Sequence, residues 1–144
     1  MAALTGIRVL DMTQYEAGTS CTQYLAWLGA EIIKIEPPNG DPGRSTGVNL
    51  AGDSQYFMNY NSGKKSVVID LKNSSGRDLL LDLAGKCDIF VENYGPDVME
   101  SLNIGPDVLA EINQKLIYGR IKGFGLSGPY AKFNAYAPIF GSLT

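Results

Sequence analysis

Two short apolar runs separated by one helix-length segment constrain this chain more than any other feature. Residues 6–13 read GIRVLDMT and residues 30–38 read AEIIKIEPP. Between them, Glu16-Ala17-Gly18-Thr19-Ser20 opens a helical stretch that closes at Trp27-Leu28-Gly29. Strand, helix, strand at this spacing is a β-α-β unit, and parallel strands need such a crossover. The unit places backbone amides of a helix N-terminus beside the carboxyl end of a strand, where open α/β sheets take nucleotide-like ligands. A loop rich in turn formers, Asn39-Gly40-Asp41-Pro42-Gly43-Arg44, follows the second strand on that same edge.

The alternation continues. Strands are expected over 8–12, 31–35, 66–70, 88–92 and 116–121, and helices over 19–28, 98–102 and 106–113. A short helical or irregular piece is expected over 55–61, and residues 37–52 form a Pro/Gly-rich loop. Asn73-Ser74-Ser75-Gly76 reads as a cap for a helix reaching Ala84, with Leu79, Leu80 and Leu83 on its apolar face. The fold class that follows is α/β: an open, mostly parallel, Rossmann-like sheet with helices on both faces. Residues 1–144 read as one domain, without internal repeat or linker. Residues 137–143 are apolar enough to want burial yet stop at Thr144, so the chain reads as the interior of a longer protein, cut off.

Composition removes several function classes. With 44% hydrophobic and 19% charged residues the chain is an ordinary globular protein, and a net charge of −3 gives no nucleic-acid footprint. No apolar run approaches the roughly 20 residues of a membrane span, and the N-terminus lacks a signal-peptide pattern. The expectation is a cytoplasmic protein without membrane or nucleic-acid partners. The chain holds no histidine, which removes a histidine-based triad and any histidine-ligated metal, and no metal site is expected. Cys21 and Cys87 have no metal-type spacing and read as reduced, half-buried small residues.

Four loops should meet at the carboxyl ends of the strands: residues 14–18, 36–44, 92–96 and 122–129. Asp70-Leu71-Lys72 joins them. Arg44, Lys64, Lys65 and Lys72 are the cations best placed for phosphate, although a Lys-Lys pair also suits a solvated strand entrance. Cations and loops together point to a phosphate-bearing ligand. The dinucleotide and P-loop glycine fingerprints are absent, and Gly123-Phe124-Gly125 is a weak signal alone.

Six segments in order, LTGIRVLDMT, LGAEIIKIEPPNGDPGR, NSGKKSVVIDLK, DIFVENYGPDVMESLNIG, LIYGRIKGFGLSGPY and AYAPIFG, resemble the family III CoA-transferases, the family of formyl-CoA transferase and the carnitine CoA-transferases. The resemblance implies the N-terminal third of an interlocked-dimer fold, a CoA-binding domain over residues 1–144. It implies transfer of CoA between an acyl-CoA thioester and a free carboxylic acid through an aspartyl mixed anhydride. The aspartate would lie beyond residue 144, so no residue here is a catalytic candidate. The partners implied are acyl-CoA, a small organic acid, and a second copy or a related subunit.

The resemblance also implies the coenzyme A contacts. Glu16 and Ala17 match the loop after the first strand. Ile69, Asp70, Leu71 and Lys72 match the segment around the adenosine part, and Asn93, Tyr94 and Gly95 the loop under the pantetheine arm. Asn134, Ala135, Tyr136 and Ala137 match the segment approaching the thioester. Pro37 stands where several relatives carry a basic residue, Ser101 and Asn134 where some have arginine and lysine, and Ala137 where many have an acid. Arg44 or Lys72 would then compensate at the phosphates; otherwise the chain is a noncatalytic partner subunit of a heteromer. A racemase of the same family would use a histidine where this chain has Tyr136.

Overall fold

A computed structural model describes residues 1–47, 49–50 and 53–136, with backbone alone at 49, 50 and 53. In order, the elements are β1 (Arg8–Met12), α1 (Ala17–Trp27), β2 (Glu31–Glu36), a 3-10 turn (Pro42–Ser45), β3 (Asn49–Leu50), β4 (Asp53–Ser54), α2 (Gln55–Asn61), β5 (Lys65–Val68), α3 (Ser74–Ala84), β6 (Ile89–Glu92), α4 (Val98–Ser101), α5 (Pro106–Ile112) and β7 (Ile117–Arg120). β5, β2, β1, β6 and β7 form one five-stranded sheet in that spatial order, every neighbouring pair parallel. β3 and β4 are a separate two-stranded ribbon inside the loop before α2.

Alternation along the strands builds a core on each face. Leu10, Met12 and Phe90 belong to the larger core, with Leu80 and Ala84 of α3 and Leu109 of α5. Val9, Ile32 and Val91 belong to the smaller one, against which Leu25 and Ala26 of α1 pack. Helices therefore cover both faces, as the alternation of elements predicts. Asn73 caps α3 as expected, its side chain accepting from the Ser75 amide at 3.0 Å.

Some local expectations shift. The strand expected over 66–70 runs Lys65–Val68, because the chain turns at Asp70, whose carboxylate accepts from the Lys72 amide. Leu80 is fully buried but Leu79 is exposed, since the inward stripe of α3 is narrower than its run of leucines. Cys21 is exposed on α1 and Cys87 is buried, so neither is half-buried. Ala137 and the apolar segment to residue 143 lie outside the described residues.

α1 begins close to the strand it follows, and Gly18 makes that approach possible. A Cβ on Gly18 would sit 2.3 Å from Cγ2 of Thr13. Thr13 cannot yield, being fully buried and bonded through its amide and hydroxyl to Asp11. Gly18→Ala is expected to destabilise the fold by about 1–3 kcal/mol, the overpacking cost exceeding the roughly 1 kcal/mol of helix propensity that alanine adds. Urea unfolding of the single variant measures this, and a neutral or stabilising result would contradict the close approach.

Candidate ligand site at the switch point of the sheet

After β1 the chain builds β2 and β5 to one side, then crosses to build β6 and β7 on the other. The loops leaving β1 and β6 diverge there and open a crevice at the carboxyl edge. Side chains tie the two loops together. The Asn93 amide group accepts from the Gln14 backbone N–H at 2.8 Å and donates to its carbonyl at 2.7 Å. Gln14 Nε2 donates to the Tyr94 hydroxyl at 2.7 Å. Each loop also holds a non-glycine residue in the left-handed region, Tyr15 at φ 58° and Asp97 at φ 60°, a strain that only a well-anchored loop sustains.

Under this edge lies a row of buried charges. Asp11 is fully buried and accepts from Thr22 at 2.6 Å and from the Lys64 ammonium at 3.0 Å. Lys64 also donates to the Thr19 carbonyl, Thr22 and Asn61. Burial lowers the Lys64 pKa, and Asp11 opposes that shift. Lys34 Nζ lies 2.7 Å from Asp41 Oδ2, both side chains 1% exposed, and donates to the Thr13 carbonyl at 2.7 Å. Glu36 receives Arg44 through two nitrogens at 2.6 and 2.7 Å, Ser66 at 2.5 Å and the Asp41 amide at 2.9 Å. Burial alone would raise the Glu36 carboxyl, but those donors outweigh it and bring it down to about 2. Glu92, fully buried, holds Arg120 at 3.1 Å, Lys122 at 2.9 Å and the Tyr94 amide at 2.8 Å.

Two depressions open above these pairs. The first, of about 290 Å³, is lined by Ala17, by Asn93, Tyr94 and Gly95, by Arg120 and Lys122, and by Asn134, Ala135 and Tyr136. The second, of about 350 Å³, is lined by Met12, Ile35, Pro37, Ile69, Asp70, Leu71, Lys72 and again Tyr94. Segments far apart in sequence thus converge on one edge. The last stretch sits tightly against the β6 loop: a Cβ on Gly95 would lie 2.6 Å from Asn134 Oδ1. Burial raises the Tyr94 hydroxyl to about 12, keeping it protonated as Gln14's partner at neutral pH.

The structure separates the candidate cations. Lys72 lines the second depression and is exposed, with no ion pair among the described residues. Lys64 is no strand-entrance or phosphate lysine, because it is buried with its bonds directed into the β1–α1–α2 junction. Lys65 pairs with Glu31 at the amino end of β5, on the opposite edge. Arg44 lines neither depression; its guanidinium is clamped to Glu36 and stacks 3.8 Å from the Phe57 ring centroid. Glu16 lines neither depression; it bonds the Tyr60 side chain, whose hydroxyl it raises. Sequence reasoning placed Gln14, Glu92 and Lys122 in the converging loops without giving them a role, and missed Arg120. For Glu92, Arg120 and Lys122 the signal was a charged residue closing each apolar run, as in IFVE and IYGRIK.

The chain matches the family model described as CoA-transferase family III over residues 4–144. It is 44% identical over 138 residues to a formyl-CoA:oxalate CoA-transferase of Streptomyces coelicolor, covering 95% of this chain and 33% of the relative. A formyl-CoA:oxalate CoA-transferase of Bradyrhizobium diazoefficiens is 43% identical over 139 residues, covering 95% and 32%. Among solved structures, a CAIB/BAIF family protein from Brucella suis superposes with a TM-score of 0.93 at 33% identity, covering 99% of this chain and 39% of the other. Rv3272 from Mycobacterium tuberculosis gives 0.92 at 38% identity, covering 99% and 40%. The chain spans about a third of the length of the curated relatives it matches.

Proposed function

Because the chain belongs to CoA-transferase family III, we propose that the carboxyl edge of its sheet binds the coenzyme A part of an acyl-CoA in a protein that transfers CoA to a free carboxylic acid. The observation that carries this reading is the pair of depressions that share Tyr94, with an exposed Lys72, which has no ion pair among the described residues, lining the more apolar one. An extended ligand with an apolar base, phosphates and a long neutral arm has matching surfaces there. In the first depression the cations are neutralised, Arg120 and Lys122 by Glu92 and Lys132 by Asp97, which suits an amide-bearing arm rather than a phosphate.

The work assigned to these residues is holding and orienting; bond making belongs to an aspartate beyond residue 144, acting through a mixed anhydride. Carboxylates are weak nucleophiles, so a fixed thioester is worth much of the rate. The acceptor is a small organic acid, the setting is the cytoplasm, and no metal is needed. The site residues proposed are Ala17, Pro37, Ile69 to Lys72, Asn93 to Gly95 and Asn134 to Tyr136. The assembly is an interlocked dimer, of two copies or of this chain with a related subunit. One observation favours a second reading, a noncatalytic partner subunit: of the cations around the cleft, Lys72 is the one without an ion pair among the described residues.

Lys72→Ala is expected to weaken CoA binding about 3–10-fold at low salt, with the loss shrinking as salt screens the contact. Calorimetric titration of CoA into the protein and the variant measures this, and equal affinities at low salt would overturn the phosphate role. Exchange of labelled CoA between a thioester and a free acid, measured on the protein that carries the aspartate, separates the two readings: turnover by that protein alone supports the enzyme, and turnover only with an added related subunit supports the partner. Residues 1–144 by themselves are expected to give none.

A further inference from the structure

We propose that Gln14 is a positioning residue that holds the Tyr94 ring as a fixed divider between the two depressions, so that one extended ligand occupies both at once. The proposal rests on the CoA-binding reading of the site. Tyr94 is the residue common to both linings, and Gln14 belongs to neither. The Tyr94 backbone is pinned on both sides, its amide to Glu92 and its carbonyl to the Lys122 ammonium. Among the described residues the ring itself has one polar anchor, the Gln14 side-chain amide at 2.7 Å from its hydroxyl. Gln14 is in turn held by its own backbone, through the two bonds to the Asn93 side chain, so its amide has a defined place from which to reach the ring.

The consequence is a matter of rotamer populations. The ring packs against the larger core along one side, and the Gln14 bond fixes where its hydroxyl end sits; without that bond the tip of the ring can lean into either depression. A small ligand that fills one depression pushes a free ring into the other and loses little. A ligand that spans both has to hold the ring at the boundary, and in the native chain the Gln14 bond has already done so. Loss of the anchor therefore penalises the spanning ligand selectively and makes the two depressions antagonistic.

The test uses three probes on the protein and on Gln14→Ala, Tyr94→Phe and the double variant: CoA, adenosine 3′,5′-bisphosphate for the second depression, and pantetheine for the first. Tyr94→Phe removes the hydroxyl alone and keeps the ring, and the Asn93 clasp engages only the Gln14 backbone, so both variants keep the fold. CoA is expected to bind about fivefold more weakly to each single variant, the double variant being no weaker, while each fragment alone changes by less than roughly twofold. In the native protein the two fragments bind together without interference; in the variants each weakens the other. A merely structural role for Gln14 would lower all three affinities together and leave the fragments independent. That pattern, or unchanged CoA binding in both single variants, overturns the proposal while leaving the CoA site standing. Failure of the native protein to bind CoA or either fragment overturns the CoA reading itself, and this proposal with it.

Discussion

Lys34→Met is expected to cost about 3–5 kcal/mol of folding stability, the loss that follows when one partner of a buried ion pair is removed. Lys34 and Asp41 meet at 2.7 Å with side chains 1% exposed, so the remaining carboxylate would stay uncompensated in the interior. Among the described residues the neighbouring cations are engaged elsewhere, Arg44 with Glu36 and Lys64 with Asp11. The loss extends to the ligand edge: Lys34 also fixes the Thr13 carbonyl at the entry to the β1–α1 loop, and Asp41 caps the 3-10 turn through the Gly43 amide at 2.7 Å. Against a total stability of about 5–15 kcal/mol for a domain, the change removes a large share. Urea unfolding at neutral pH measures it. A second variant, Lys34→Met with Asp41→Asn, should recover part of the loss by removing the orphaned charge. A cost below about 1 kcal/mol for the single variant would show that the pair is not buried as described.

Acid is expected to destabilise the fold through Glu36. Its carboxyl is held at about 2 in the folded chain, below the roughly 4.3 of an unfolded glutamate, so between those values the unfolded state binds more protons. Stability is therefore fully present above the unfolded value and is lost as pH falls through the folded one. A shift of this size corresponds to about 3 kcal/mol. Glu36→Gln should start less stable at neutral pH and show a flatter acid limb between about pH 4.5 and 2. Parallel stability curves for the two proteins across that window would show that Glu36 is not the group responsible. Because Arg44 is one of the donors, Arg44→Ala should flatten the same limb in part.

The strands and helices were legible because their signals are local. RVLDM and EIIKIE are short apolar-rich runs with a helix-length segment between them, and a parallel crossover is the one simple way to bury both. Asn73 announced α3 because a cap acts within a few residues. Element ends were less legible: β5 closes two residues early because its partner β2 and the turn at Asp70 decide where pairing stops. The chemistry of the site was legible only by its edge. Lys64, Lys65 and Lys72 look alike in sequence, yet one is buried against Asp11, one pairs with Glu31 on the far edge and one lines the cleft. No local rule distinguishes them, since the difference lies in what comes to meet each ammonium.

By itself, the sequence determined the element types, the parallel α/β architecture, the family and the edge of the sheet that holds the loops, because periodicity, capping and turn chemistry operate over a few residues. Tertiary structure alone decided which charged side chains hold the framework and which face a ligand. Asp11, Lys34, Glu36 and Glu92 sit inside otherwise apolar strands, and only folding brings them Lys64, Asp41, Arg44 and the Arg120–Lys122 pair. Gln14 and Tyr94 likewise meet across 80 residues of chain. Contacts of that separation come from how strands are ordered in the sheet, and strand order is a property of the whole fold.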